Sequence, residues 1–219
     1  MKTNGKSALR TVMFIDLVGY TKRTSHLSRD KVHELHDIFD TLTIPTFKKF
    51  DGRIVKKMGD AFLSTFKSAT DAVLCGIEMQ NKFIQYNTQF KRRKPIQVRV
   101  ALHTGEVIMR GNDVYGDAVN TAARIESIAK ADHIVFSESV FAAMNKNEVP
   151  YIHLGMKKFK GLRFPIRIFR VKRQYDKIGP RRIRKSRFVN RIKFVGMMAF
   201  IVVMILIILY FLFNRFGLL

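Results

Sequence analysis

The chain has 219 residues, 47% of them apolar, enough for one well-filled core; its lone cysteine, Cys75, excludes an intrachain disulfide framework and fits a reducing compartment. The formal charge of +23 brings a nucleic-acid or membrane partner into question. Ten Lys/Arg and one acid, Asp176, fall within residues 172–193, and the remaining positive charge is spread along the body.

In chain order, ALRTVMFIDL (8–17) reads as a strand. Ser28 is a fitting N-cap for a long helix over 29–50, which Pro45 should kink or interrupt. GRIVKKMGDAFLSTF (52–66) reads as a hairpin turning at Gly59-Asp60. Ser68 or Thr70 opens a second helix to about Tyr86, with Cys75 on its apolar side as a buried small hydrophobe. KRRKP (91–95) is a loop. IQVRVALHTGEVIMRG (96–111) reads as a second hairpin, turning at Thr104-Gly105. A helix over 117–131, a strand over 132–137 and a short helix over 137–144 follow, and KKFKGLRFPIRIFRV (157–171) reads as a closing hairpin. The order β-α-β-β-α-β-β-α-β-α-β-β implies an α+β domain with a ferredoxin-like core and a mostly antiparallel sheet flanked by helices.

FVGMMAFIVVMILIILYFLF (194–213) carries no charge over 20 residues, enough to cross a hydrocarbon core of about 30 Å. The basic stretch before it places the body in the cytoplasm by the positive-inside rule and draws it towards anionic lipid. The expected organisation is a working domain over 1–171, a basic juxtamembrane linker over 172–193, a single transmembrane helix over 194–213 in the cell (inner) membrane, and a short extracytoplasmic tail over 214–219. No nucleic-acid motif accompanies the charge, so a nucleic-acid partner is not expected.

Three constellations carry chemistry. In FIDLVGYTK, Asp16 is a carboxylate inside an apolar strand, a costly placement unless it is paired or metal-bound. Gly19 to Thr21 then form a turn whose backbone N–H groups suit phosphate oxygens. Asp60 sits at the first hairpin, where a second carboxylate on a neighbouring strand can join Asp16 to hold hard divalent cations. In NDVYGDAVNTAARIES, Asn120 and Arg124 lie four apart on one helix face, suited to a ribose and an anionic phosphorus centre, with Asp113 in the loop before them.

On FIDLVGYTK, VKKMGDAF, VRVALHTGEV and DVYGDAVNTAARIES, residues 8–171 resemble the class III nucleotide cyclases, and KFKGLRFPIRIFRV is similar to that family's terminal hairpin. The resemblance implies two Mg²⁺ or Mn²⁺ ions per active site, held by Asp16, Asp60 and the backbone carbonyl of Leu17. It implies outer phosphates on Gly19, Tyr20 and Thr21, with Arg167 as a further phosphate contact. Asn120 would orient the ribose and Arg124 would meet the phosphoryl group. Lys56, four residues before Asp60, and Asp113 would choose adenine, a donor and an acceptor matched to that base. The implied reaction is attack of the ribose 3′-OH of ATP on its α-phosphorus, giving 3′,5′-cyclic AMP and pyrophosphate, at sites shared across a homodimer. His103, read as lying beside a hairpin turn, is the only candidate base; His33 and His36 read as solvated or partner-facing, and Lys57 as ordinary surface. A guanylate or mixed-specificity cyclase, and a non-catalytic nucleotide-binding membrane module, stay open as alternatives.

Overall fold

The computed structural model describes residues 5–173; the expected membrane helix, the tail and nearly all of the basic linker lie outside the described residues. Strand β1 (Lys6–Leu17) is an interior strand of the sheet, with β3 (Ala61–Phe66) antiparallel on one side and β4 (Val98–Arg110) antiparallel on the other. Its run VMFIDL is apolar at nearly every position because both faces of the strand are covered. The sheet continues through β2 (Arg53–Met58) beyond β3, and through β6 (Ile134–Ser137), β8 (Ile166–Val171) and β7 (Tyr151–Lys157) beyond β4. A short β5 (Asp113–Tyr115) pairs with the end of β4. Among the described residues only β4 and β6 pair in parallel, so the expected mostly antiparallel α+β sheet is observed.

The side-chain alternation of β1 and β4 sorts the two faces. Met13, Ile15, Leu17, Val98, Val100 and Leu102 point to the main core, which α2 (Arg29–Lys49), α3 (Ala69–Gln89) and α5 (Glu138–Ala143) close. Val12, Phe14 and Ala101 point to the other face, where α4 (Asp117–Ile128) lies with Ala118, Ala122 and Ile125 buried. Asp16 and Arg99 share this second face by register, being directly paired across β1 and β4.

Several boundaries differ from the sequence reading for physical reasons. Helix α2 passes through Pro45 unbroken; Phe39, Thr43, Thr46 and Phe47 around it are buried, and that packing outweighs one missing hydrogen bond. Ser68 caps α3, its Oγ accepting the N–H of Asp71 at 3.1 Å. Thr104-Gly105 is not a turn: β4 runs straight through it, paired residue for residue with β1, and turns at Gly111 instead. Gly105 is there for close approach, since a Cβ would stand 2.9 Å from that of Ala118 on α4. The closing hairpin uses Tyr151–Lys157 as its first strand, and KKFKG lies mostly in the connection. The Gly19–Thr21 turn runs straight into a five-residue helix, α1 (Tyr20–Thr24).

Candidate active site

Asp16 and Asp60 meet where β1 ends. Asp16 pairs with Ala61 across β3, and the N–H of Leu17 donates to the Asp60 carbonyl at 3.1 Å, so the Gly59-Asp60 hairpin is stitched to the strand that carries the first carboxylate. Asp16 is 7% exposed, and the cost of its charge is answered by Arg99. Arg99 Nε donates to Asp16 Oδ2 at 2.7 Å and a second guanidinium nitrogen approaches the same oxygen at 2.5 Å. Glu126 on α4 brings Oε1 to 2.5 Å from the same Nε. Because that N–H is already directed at Asp16, the Glu126 contact is one of charge, and its oxygen makes no hydrogen bond of its own among the described residues.

Burial pushes the Asp16 carboxyl up to about 6; Arg99 opposes this, while the negative charges of Asp60 and Glu126 add to it. Two carboxylates, Asp16 and Glu126, thus crowd one guanidinium, and the charge of Asp60 is felt at Asp16. The donors Asp16, Asp60 and the Leu17 carbonyl are all oxygen, which suits a hard divalent cation. Two carboxylates short of a full cage are also what a Mg²⁺-type ion needs when substrate phosphates complete its shell. The donor chemistry therefore fits the metals implied by the resemblance, with Arg99 the group an incoming ion would compete against.

Arg99 and Glu126 were not foreseen. The signal was present: Arg99 stands in the apolar strand VRVAL, as Asp16 stands in MFIDL, and strand alternation points both to one face.

Lys56 and Asp113 also meet. Lys56 Nζ lies 2.9 and 2.8 Å from the two Asp113 oxygens, joining β2 to β5 on the α4 side of the sheet. That hydrogen bond, with another from the Val114 N–H, holds Asp113 below the usual carboxylate range. A bulge between Ile54 and Lys56 re-aims the strand so that Lys57 faces the other way. Lys57 is more than ordinary surface: it binds Asp40 on α2 at 2.6 Å and lies over the Phe62 ring.

Asn120 and Arg124 stand beside the buried stripe of α4, neither with a side-chain hydrogen bond or ion pair among the described residues. The connection between β7 and β8 supports Arg124: a Cβ on Gly161, at φ +79°, would stand 3.0 Å from the guanidinium.

Other expected contacts differ. Gly19 is left-handed (φ +67°), which favours glycine there. The Tyr20 side chain turns away from the phosphate turn to bond His36 Nε2 at 2.8 Å, leaving the backbone of Gly19, Tyr20 and Thr21 for any phosphate role and giving His36 a partner within the fold. Arg167 is not brought to the carboxylates: strand alternation against buried Ile168 puts it on the opposite face, 3.8 Å from Glu138 of α5. His103 is no catalytic base candidate, since it lies mid-strand, bonded to Ser137 Oγ at 2.9 Å, and burial pushes its imidazole down to about 4.

Comparison with known proteins identifies the family. The family profile of the adenylate and guanylate cyclase catalytic domain matches residues 5–173. A serine/threonine-protein kinase, pkn2, of Myxococcus xanthus is 34% identical over 170 residues, 78% of this chain and 20% of that protein. An adenylate cyclase of Streptomyces coelicolor is 32% identical over 124 residues, 57% of this chain and 31% of that one. The chain thus spans less than a third of the length of these relatives. A crystal structure of an adenylate/guanylate cyclase/hydrolase from Silicibacter pomeroyi superposes with a TM-score of 0.69 at 28% identity, covering 77% of this chain and 99% of that one. Fold, site geometry and family profile agree: the chain belongs to the class III nucleotide cyclases, the family of the adenylate and guanylate cyclase catalytic domain.

Proposed function

We propose that the chain is an adenylate cyclase, turning ATP into 3′,5′-cyclic AMP and pyrophosphate at two equivalent sites shared by a homodimer. The observation that carries the choice of ATP is the Lys56–Asp113 pair, an ammonium donor and a carboxylate acceptor held side by side at 2.8–2.9 Å. Adenine offers a ring acceptor next to an exocyclic amine, so it can meet both groups. Leaving a polar group of such a pair unmatched costs about 1–3 kcal/mol, which sets a clear preference between bases.

In this reading Asp16 and Asp60 of one subunit hold two Mg²⁺ or Mn²⁺ ions, with the Leu17 carbonyl beside them. When bound, the ions neutralise triphosphate charge and make the ribose 3′-OH easier to deprotonate. The partner copy supplies Lys56, Asp113, Asn120 and Arg124. Asn120 orients the ribose, and Arg124 meets the charge that builds at the α-phosphorus as the 3′-oxygen attacks in line. With a metal on Asp16, Arg99 would keep its charge contact with Glu126. The uncharged run 194–213 and the basic residues before it support a single-pass anchor with this domain on the cytoplasmic side.

The test is cyclic-nucleotide formation by the purified chain with Mg²⁺ or Mn²⁺, ATP against GTP, with Asp60→Ala as control. Cyclic AMP as the dominant product, lost in Asp60→Ala, is expected. Dominant cyclic GMP would overturn the choice of base, and no cyclic product from either nucleotide would overturn the enzyme.

A further inference from the structure

On the face of the sheet opposite Asp16 and α4 there is a cavity of about 620 Å³ between α1, α2 and the connection from α3 to β4. Its apolar floor is Leu27, Leu35 and Ile38, the last two packing into the main core beneath α2. Its walls carry Lys22, Arg23, Lys31, Arg92 and Lys94 against a single acid, Glu34. The volume is that of a small-molecule site.

The positive charge in this cavity is not neutralised from within. Glu34 engages Arg92 at 3.4 Å. Arg92 also donates to the Tyr86 hydroxyl at 3.1 Å and lies over that ring, which fixes its guanidinium. Arg23 is half-buried and donates only to neutral carbonyls, those of Lys94 and Pro95, at 2.6 and 2.7 Å. Burial and the nearby charge of Arg92 hold the Arg23 guanidinium below its usual range. Lys22, Lys31 and Lys94 have no acid partner among the described residues. Two guanidiniums held in place and three unpaired ammoniums around one recess are a phosphate-binding chemistry, planar forks for geometry and point charges for field.

From this geometry we infer a second ligand site, which takes a phosphorylated organic anion: phosphate on the ring of Arg23, Arg92 and lysines, carbon skeleton on Leu27, Leu35 and Ile38. It adjoins the phosphate turn of the nucleotide site at Gly19, which lines the cavity and opens α1, while Asp16 and α4 lie on the other face of the sheet. The inference stands whether or not the chain cyclises ATP. Arg23 ties α1 to the 94–95 backbone across the cavity, so an anion seated there bears directly on the helix that follows the Gly19 turn.

The ligand chemistry has two sources, a soluble phosphomonoester or the phosphomonoester headgroup of a lipid. The experiment uses the full chain in neutral detergent, with hydrogen exchange read by mass spectrometry. One arm adds glycerol 3-phosphate; the other uses mixed micelles containing phosphatidic acid. The paired variant is Lys31→Glu with Lys94→Glu, both exposed and neither placed in the nucleotide site. Slower exchange over 22–38 and 91–95 in either arm, with an apparent affinity at least about tenfold weaker in the double variant, supports the site and identifies its source. No protection in both arms overturns it. Protection equal in wild type and double variant also overturns it, because the anion is then held elsewhere.

Discussion

Two charged constellations lie on the α4 side of the sheet, and they are built in opposite ways. At the end of β1, Asp16, Arg99 and Glu126 have side chains only 10%, 31% and 20% exposed, and burial drives the Asp16 carboxyl upward. Across β2 and β5, Lys56 and Asp113 are 42% and 30% exposed, and their contact drives the Asp113 carboxyl downward. A buried ionic cluster works against its own desolvation and is weak grounds for stability. An exposed pair contributes at most about 1 kcal/mol. Neither exists to hold the fold together, but they should fail differently: breaking the first strands a buried charge, and breaking the second costs selectivity alone.

The largest effect expected is on rate. Arg124→Ala should lower cyclic AMP formation by about a thousandfold, as loss of a group that meets transition-state charge does, with a thermal midpoint close to wild type because the side chain has no hydrogen bond or ion pair among the described residues. A matching drop in stability would make Arg124 structural.

Next come the buried charges. Deleting the guanidinium in Arg99→Ala should cost about 2 kcal/mol in urea unfolding at pH 7, below the full cost of a sealed pair because Arg99 is part-exposed. The loss should shrink in the double variant Arg99→Ala with Asp16→Asn, where Glu126 alone is left without its counter-charge. A full additive loss would break the contrast between the two regions.

His103 sharpens the same point, as a half-buried titratable group whose charged form is disfavoured by desolvation. Its imidazole falls from an ordinary 6.5 to about 4 in the fold, so between those values the unfolded chain takes up a proton that the folded chain refuses. Stability from this group is fully present above pH 6.5 and is lost as pH falls towards 4, by about 3 kcal/mol in all. The urea midpoint of His103→Gln should accordingly fall less between pH 7 and pH 4 than that of wild type; parallel slopes would mean that His103 does not set the acid limit.

The smallest effect belongs to the exposed pair. Lys56→Ala should move stability by less than about 0.5 kcal/mol and cut the ratio of ATP to GTP turnover by about tenfold. An unchanged ratio would remove Lys56 from base choice.

The sequence was most legible where one local signal sufficed. Asp16 is visible because a charge in an apolar strand needs a reason, and the start of α3 because Ser68 and Thr70 are both capping residues, of which Ser68 makes the bond. It was least legible where tertiary pairing decides. Thr104-Gly105 has the look of a turn, and only the continuous pairing with β1 and the closeness of Ala118 show that the glycine makes room for a helix. Tyr151–Lys157 pairs with β8 through an irregular register, so its strand character emerges from the partner. The face that Arg167 takes is not legible either, because the face of a strand depends on register, which one residue reverses. Arg99 needed the Asp16 argument applied twice. The membrane anchor rests on the composition of 194–213.

Each proposed site is completed by two copies of the chain. Asp16→Ala removes one subunit's contribution and Arg124→Ala removes the other's, so each homodimer should be inactive. Mixed and allowed to exchange, the two variants should recover about a quarter of wild-type cyclic AMP formation, because half the dimers then carry one intact site of two. A mixture as inactive as its components would contradict the shared site.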